Sequence, residues 1–75
     1  MIAADQIRKA ILATAKKKGA GNPFPLSQVA RELDFANWEE VMEPVELVAE
    51  VLVMQGYLEK KGDQVVLVIG KEKLI

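Results

Sequence analysis

Carboxylates are the chemically distinctive side chains of this sequence. Residues 38–50, WEEVMEPVELVAE, contain five glutamates and no lysine or arginine. Four of these glutamates recur every three or four positions and therefore share one stripe of a helix, which we call the acidic row: Glu39, Glu43, Glu46 and Glu50. Such a row is either the solvated face of an apolar helix or a surface that repels phosphate and attracts a basic partner. A metal site is not predicted, because hard cations usually also take carbonyl ligands from a shaped loop.

Catalytic chemistry has little support elsewhere in the chain. There is no histidine and no cysteine, which removes the usual general base, the commonest metal ligand and any thiolate nucleophile. Ser27 and Thr14 have no histidine to activate them, and GAG at residues 19–21 is too short for a phosphate-binding loop. We therefore predict that the protein is not an enzyme, binds no cofactor and has no evident small-molecule substrate.

The composition is that of one small globular domain over residues 1–75. Hydrophobic residues make up 51% of the chain and charged residues 28%, which excludes a disordered chain. Asp5, Arg8 and Lys9 interrupt any N-terminal apolar segment, and no apolar run approaches the roughly 18 residues of a membrane span. Because there is no cysteine for disulfides, a soluble protein of the reducing cytoplasm is expected.

Two helices are predicted in the first half of the chain. In residues 5–18, DQIRKAILATAKKK, apolar side chains at positions 7, 11 and 15 form one stripe of an amphipathic helix. The two prolines in GAGNPFP, residues 19–25, exclude a helix and permit only an extended segment at the edge of a sheet. Ser27 is a suitable N-cap for a short second helix, QVAREL, over residues 28–33.

A third helix is predicted from Trp38 onward. Asn37 is its expected N-cap, and Glu40 can complete a capping box. The apolar positions of this helix follow a helical period: 38, 41, 45, 48 and 52. Pro44 interrupts the period because it has no N–H and its ring presses on the preceding turn. We expect either a kink or a one-turn segment at 38–42 followed by the main helix.

A β-hairpin is predicted after the third helix. YLEK, residues 57–60, and QVVLVI, residues 64–69, are β-favouring runs separated by KGD. The stretch 65–69 is apolar without alternation, so this strand should be covered on most of both faces. The tail could add a brief pairing through Leu74 and Ile75.

Three helices followed by a hairpin predict an α+β, winged helix-turn-helix-like domain with the hairpin as its wing. SQVAREL at 27–33, WEEVMEPV at 38–45, and the later glycine and KG pair resemble a small bacterial family of uncharacterised winged-helix-like proteins. Its pattern is S-x-V-A-R-x-L then W-x-x-L-M-x-x-V, and the resemblance covers roughly residues 7–75, with Trp38, Met42 and Val45 at the matching spacing. The resemblance implies the fold and no established activity. Family members tend to carry arginine where this chain has Glu39 and Glu46, so an inference about anionic partners of the family along this helix does not carry over to this chain.

Charge is distributed unevenly along the chain. Residues 1–33 hold six bases and two acids, a net charge of +4, and residues 34–59 hold seven acids and no base, a net charge of −7. Residues 60–75 hold four bases and two acids, a net charge of +2. We therefore interpret the protein as a small interaction module in which the third-helix region binds a protein partner or a second copy of the chain.

A second feature of the third helix favours this hypothesis. Three apolar residues lie on a flank away from the core stripe, and we call them the apolar strip: Leu47, Val51 and Met54. They either pack beneath the hairpin or leave a strip suited to a partner or homodimer. Trp38 likewise either packs between the second and third helices or serves as an exposed interface anchor.

The alternative hypothesis is DNA binding, in which the wing and the basic end of the first helix contact phosphates. The residues that would carry it are Lys16, Lys17, Lys18, Arg31, Lys60 and Lys61. The acidic row opposes this hypothesis, because duplex affinity depends on cations and base readout favours basic and amide side chains. Helix-dipole compensation and solubility explain Lys16, Lys17 and Lys18 without a ligand, and Lys60 and Lys61 are also explained as ordinary charges at a hairpin tip. Membrane contact through the first helix is disfavoured by Asp5 in its first turn.

Overall fold

Three α-helices precede a small antiparallel sheet in the computed structural model, which describes residues 3–74 without the side chains of Glu72 and Leu74. The elements follow in the order α1 (Ala4–Lys18), β1 (Phe24–Pro25), α2 (Leu26–Leu33), α3 (Trp38–Met54), β2 (Leu58–Lys61), β3 (Gln64–Leu67) and a 3₁₀ helix (Lys71–Leu74). The predicted α+β class and the order of helices and hairpin are confirmed, and the arrangement is consistent with a winged helix. The predicted pairing of Leu74 is wrong because this residue ends the 3₁₀ helix, and Ile75 lies outside the described residues.

The core lies where the helices meet the inner face of the sheet. The predicted stripe of α1 is confirmed, since Ile7, Ile11 and Ala15 are at most 1% exposed. The other two helices and all three strands also contribute fully buried side chains, namely Phe24, Val29, Val45, Leu52, Leu58, Val65 and Leu67. Burial of apolar area is the main stabilising contribution in so small a chain.

The sheet has the strand order β1-β3-β2, with both pairings antiparallel. The extended segment expected before the second helix is confirmed as edge strand β1, where Phe24 pairs with Val65. Lys61 pairs with Gln64, so the hairpin turns through two residues. The first of these two residues, Gly62, has φ 62°, whereas the second, Asp63, has no positive φ, like the other non-glycine residues of the described chain. This combination is that of a type II′ turn.

Val65, Val66 and Leu67 are buried on both faces of β3, as predicted. The prediction is wrong at Ile69, which is 80% exposed. β3 ends at Leu67, so Ile69 lies beyond the strand whose apolar side chains are buried.

The start of α2 differs from its prediction, whereas α3 begins at Trp38 as predicted but without the expected side-chain cap. α2 begins at Leu26 with Pro25 as its N-cap residue, because Pro25 already has the extended backbone that an N-cap requires (φ −80°, ψ 144°). Ser27 therefore lies within the helix. Asn37 does precede α3, but its side chain makes no capping bond and the expected capping box is not formed. Instead, the Asn37 N–H donates to Asp34 Oδ1 at 3.2 Å and closes the turn between α2 and α3.

α3 is one continuous helix with Pro44 inside it, so the alternative of a separate first segment at 38–42 is wrong. Pro44 removes one backbone hydrogen bond, a cost of about 3 kcal/mol in a helix interior. Burial of Val45, Ala49 and Leu52 along the same helix offsets that cost, because each contributes apolar area to the core. Continuity matters for function because it puts the whole acidic row on a single rigid element.

Candidate interaction surface on the third helix

The orientation of α3 is fixed by its buried side. Val45, Ala49 and Leu52 are at most 2% exposed and face α1, α2 and the sheet. At about 100° of rotation per residue, the opposite side of the helix carries the apolar strip, and the acidic row lies between that strip and the hairpin side. The outer surface of α3 therefore presents two parallel bands of different chemistry.

The acidic row points into solvent along its whole length. Glu39, Glu43, Glu46 and Glu50 are all exposed. Within residues 3–74, none of their side chains takes part in a hydrogen bond or an ion pair. The four carboxylates are therefore available to a cationic group from outside, and they give this side of the helix a strong negative potential.

The apolar strip is exposed beside the acidic row. Leu47, Val51 and Met54 are 58%, 45% and 81% exposed. The interpretation that they pack under the hairpin is wrong. Ala49 and Val53 lie instead on the side of α3 that faces the hairpin, which leaves the strip on the far side of the helix.

A cleft of about 500 Å³ opens between α3, the start of α2 and the hairpin. Its floor is apolar, and Met42, Val53 and Val65 contribute to it. Its rim is charged, with Glu46, Glu50, Asp63 and Lys60. No local sequence pattern predicts this cleft, because its walls are distant along the chain and only tertiary packing brings them together.

Trp38 is half-buried and packs against the core, as the core-packing interpretation predicts. The Arg31 guanidinium carbon lies 4.6 Å from the centroid of the indole ring, which is a cation–π geometry. Arg31, one of the six residues of the DNA hypothesis, is exposed and contacts this ring.

The other basic residues of the DNA hypothesis are exposed, and they come from two different elements. Lys16, Lys17 and Lys18 end α1, whereas Lys60 and Lys61 lie on β2. Successive strand residues point to opposite faces. Lys60 therefore lines the cleft, while Lys61 lines a second groove of about 320 Å³ on the other face of the hairpin.

A cluster around Tyr57 was also missed by the sequence analysis. Arg8 Nη1 donates a hydrogen bond to Gln55 Oε1 at 2.8 Å, and its guanidinium carbon lies 5.5 Å from the Tyr57 ring centroid. Lys71 Nζ lies 5.9 Å from the same centroid. These contacts tie α1 and the 3₁₀ helix to the end of α3. No local signal links Arg8 with residues 47 or more positions away.

Among the described residues, no three or more histidine, cysteine, aspartate or glutamate side chains are grouped so that they could hold a metal ion. No helix within residues 3–74 combines the length and the hydropathy of a membrane span.

A family model described as a protein of unknown function (DUF3253) matches residues 4–71. No curated protein and no solved structure matches the chain. The match confirms the predicted relationship to a small family with no assigned activity.

Proposed function

The chain belongs to the DUF3253 family of proteins of unknown function, and we propose that it is a non-enzymatic interaction module of winged-helix type that binds a basic protein partner through α3. One observation carries the proposal: an exposed apolar strip lies beside a row of carboxylates that have no partner within the described chain. The lack of histidine and cysteine supports a binding role over a catalytic one.

The spacing of the strip favours a helical partner. Leu47, Val51 and Met54 lie at i, i+4 and i+7, the spacing of anchor residues when two helices pack side by side. Full burial of each such side chain contributes about 1.5–3 kcal/mol. The acidic row beside the strip then selects a partner with lysine or arginine along one edge and speeds its association.

DNA binding remains the competing hypothesis. It requires phosphate contacts from Lys16, Lys17, Lys18, Arg31, Lys60 and Lys61, whereas α3 turns four unpaired carboxylates to solvent. Like-charge repulsion between the acidic row and phosphates would lower duplex affinity. Lys60 and Lys61 would also have to engage DNA from opposite faces of the hairpin.

The proposal is tested with a synthetic amphipathic peptide of roughly 18 residues, with leucines along one face and lysines along the flanks. We expect backbone amide shifts in NMR titration along α3, and a dissociation constant that rises with salt. The double variant Leu47→Ser/Met54→Ser should weaken binding at least about tenfold, since it removes apolar contact area. The matched control is Phe35→Ser, because Phe35 is 82% exposed and lies outside the strip.

Three outcomes would contradict the proposal. The first is that the peptide binds the strip variant as tightly as the unchanged chain, and the second is that a peptide with glutamate in place of lysine binds equally well. The third is that arbitrary duplex DNA binds with micromolar affinity and a steep salt dependence, which would favour the competing hypothesis. Light scattering over a concentration series separates self-association through the same strip from binding to a different protein.

A further inference from the structure

We infer that the cleft between α3 and the hairpin is a specificity pocket that takes one lysine or arginine side chain of the partner. The inference rests on the proposed function and specifies which part of a partner the chain recognises. It is carried by the cleft, by the chemistry of its floor and rim, and by its position beside the acidic row.

The floor of the cleft suits an aliphatic stem. Buried Leu26, Ala49 and Val65 and half-buried Met42 and Val53 line it. Its volume of about 500 Å³ lies in the range of about 300–1,000 Å³ that is typical of ligand sites. The floor of the cleft therefore offers apolar contacts to the methylene groups of a long side chain.

The rim of the cleft suits a cationic head group. Glu46 and Glu50, one helical turn apart, form the α3 side, and Asp63 approaches from the hairpin turn. Among the described residues, Lys60 is the single basic residue that lines the cleft, so the four charged rim residues sum to −2. Lysine and arginine combine an apolar stem with a charged end, and they bury the stem while the head stays in a polar rim.

The cleft and the apolar strip can be used by one partner. Glu46 and Glu50 belong both to the acidic row and to the rim of the cleft, so the row separates the two sites by the width of one helix face. A helix that lies on the apolar strip would extend a basic side chain across Glu46 and Glu50 to reach the cleft. The strip then supplies affinity, and the cleft selects which position of the partner must be basic.

The test uses two pairs of variants that match in charge and differ in position. Lys60→Gln removes the cation at the rim, and we expect peptide binding about 1.5- to 5-fold tighter. Asp63→Asn removes a rim carboxylate, and we expect binding weaker by a similar factor, while asparagine still suits the hairpin turn. The controls are Lys61→Gln and Glu59→Gln, because both residues line the groove on the opposite face of the hairpin.

A second probe isolates the charge of the head group. N-acetyl-arginine amide should shift the amide signals of residues 62–65, whereas N-acetyl-citrulline amide, a neutral molecule of nearly the same shape, should not. In a series of peptides, each basic residue is replaced in turn by citrulline or norleucine. One position should show a larger loss of binding affinity than the others.

The two proposals fail in different ways. If the peptide binds α3 but Lys60→Gln and Asp63→Asn behave like their controls, the inference about the cleft is overturned and the proposed function stands. If the peptide does not bind while N-acetyl-arginine amide shifts residues 62–65 and its citrulline counterpart does not, the polypeptide partner is overturned and the chemistry of the cleft is supported. If neither probe binds, both proposals are wrong.

Discussion

The two long sides of α3 carry similar apolar residues in opposite environments. On the inner side, Val45 and Leu52 have no exposed surface, whereas on the outer side Leu47 and Met54 are 58% and 81% exposed. Both sets lie on the same continuous helix, so helix propensity does not distinguish them. The two sides differ in what packs against them: α1, α2 and the sheet cover the inner side, and no described element covers the outer one.

The charged residues show a parallel contrast. Arg8, Arg31 and Lys71 each lie over an aromatic ring, and Arg8 also donates to a side-chain amide. The carboxylates of the acidic row make no such contact within residues 3–74. These cations are therefore part of the fold, whereas the acidic row can be changed with little effect on it. An exposed apolar residue or a lone charge is ordinary by itself, but both kinds on one helix face make an interaction surface.

The largest expected effect distinguishes the two sides of the helix directly. Leu52→Ala should lower the free energy of unfolding by about 2–5 kcal/mol, because it leaves a cavity in the core. That loss is a large part of the roughly 4–11 kcal/mol expected for a chain of this length. Leu47→Ala is the matched control and should cost less than about 0.5 kcal/mol. Urea unfolding measures both variants, and an equal cost would show that the outer side is also packed.

Pro44→Ala should stabilise the chain by about 1–2 kcal/mol. The substitution restores an N–H within α3, which outweighs the smaller stabilisation that proline provides by restricting the unfolded chain. In a domain of this size, the midpoint of thermal unfolding should rise by roughly 4–8 °C per kcal/mol. Peptide affinity should hardly change, because the apolar strip and the acidic row are retained. A lower midpoint would mean that packing of the proline ring stabilises the chain by more than the restored backbone N–H does.

Arg31→Gln should lower the free energy of unfolding by about 0.5–1 kcal/mol, since it removes the cation–π contact with Trp38. Lys16→Gln is the control, because Lys16 is exposed and has no ring contact. Chemical unfolding followed by tryptophan fluorescence compares the two. If Lys16→Gln costs as much as Arg31→Gln, net charge rather than the ring contact is responsible.

The smallest expected effect has the opposite sign. Glu43 has like-charged neighbours at Glu39 and Glu46, so Glu43→Gln should stabilise the chain by about 0.2–0.5 kcal/mol. The gain should shrink as salt is added. Glu59→Gln, on β2, should show no comparable gain. A destabilised Glu43→Gln variant would indicate that the row contributes to the fold and would weaken its assignment to a partner.

Local patterns were sufficient to predict most of the fold. The stripe of α1, the extended segment at β1 and the hairpin followed from period, proline and glycine, and all three are present. The start of α2 was misplaced because Pro25 takes the N-cap that Ser27 was expected to supply. The continuity of α3 was not predictable either, because the cost of Pro44 is local whereas the compensating burial is tertiary.

The candidate surface was predicted in part. The periodicity of residues 38–54 placed the acidic row and the apolar strip on one helix, but it left open whether the hairpin covers the strip. That depends on the angle at which β2 meets α3, which no residue pattern encodes. The cleft depends on Asp63 and Lys60 meeting Glu46 and Glu50, and only the folded chain brings these residues together.

Edge strand β1 has a consequence for how the chain reaches its native state. Its pairing with β3 joins Phe24 to Val65, 41 positions apart, whereas the helices and the hairpin close through short segments. Closing so long a loop is entropically slow, so this pairing should form after the rate-limiting barrier. Phe24→Leu should therefore raise the unfolding rate more than it lowers the refolding rate in stopped-flow experiments. If the substitution mainly lowers the refolding rate, the β1 pairing belongs to the folding nucleus instead.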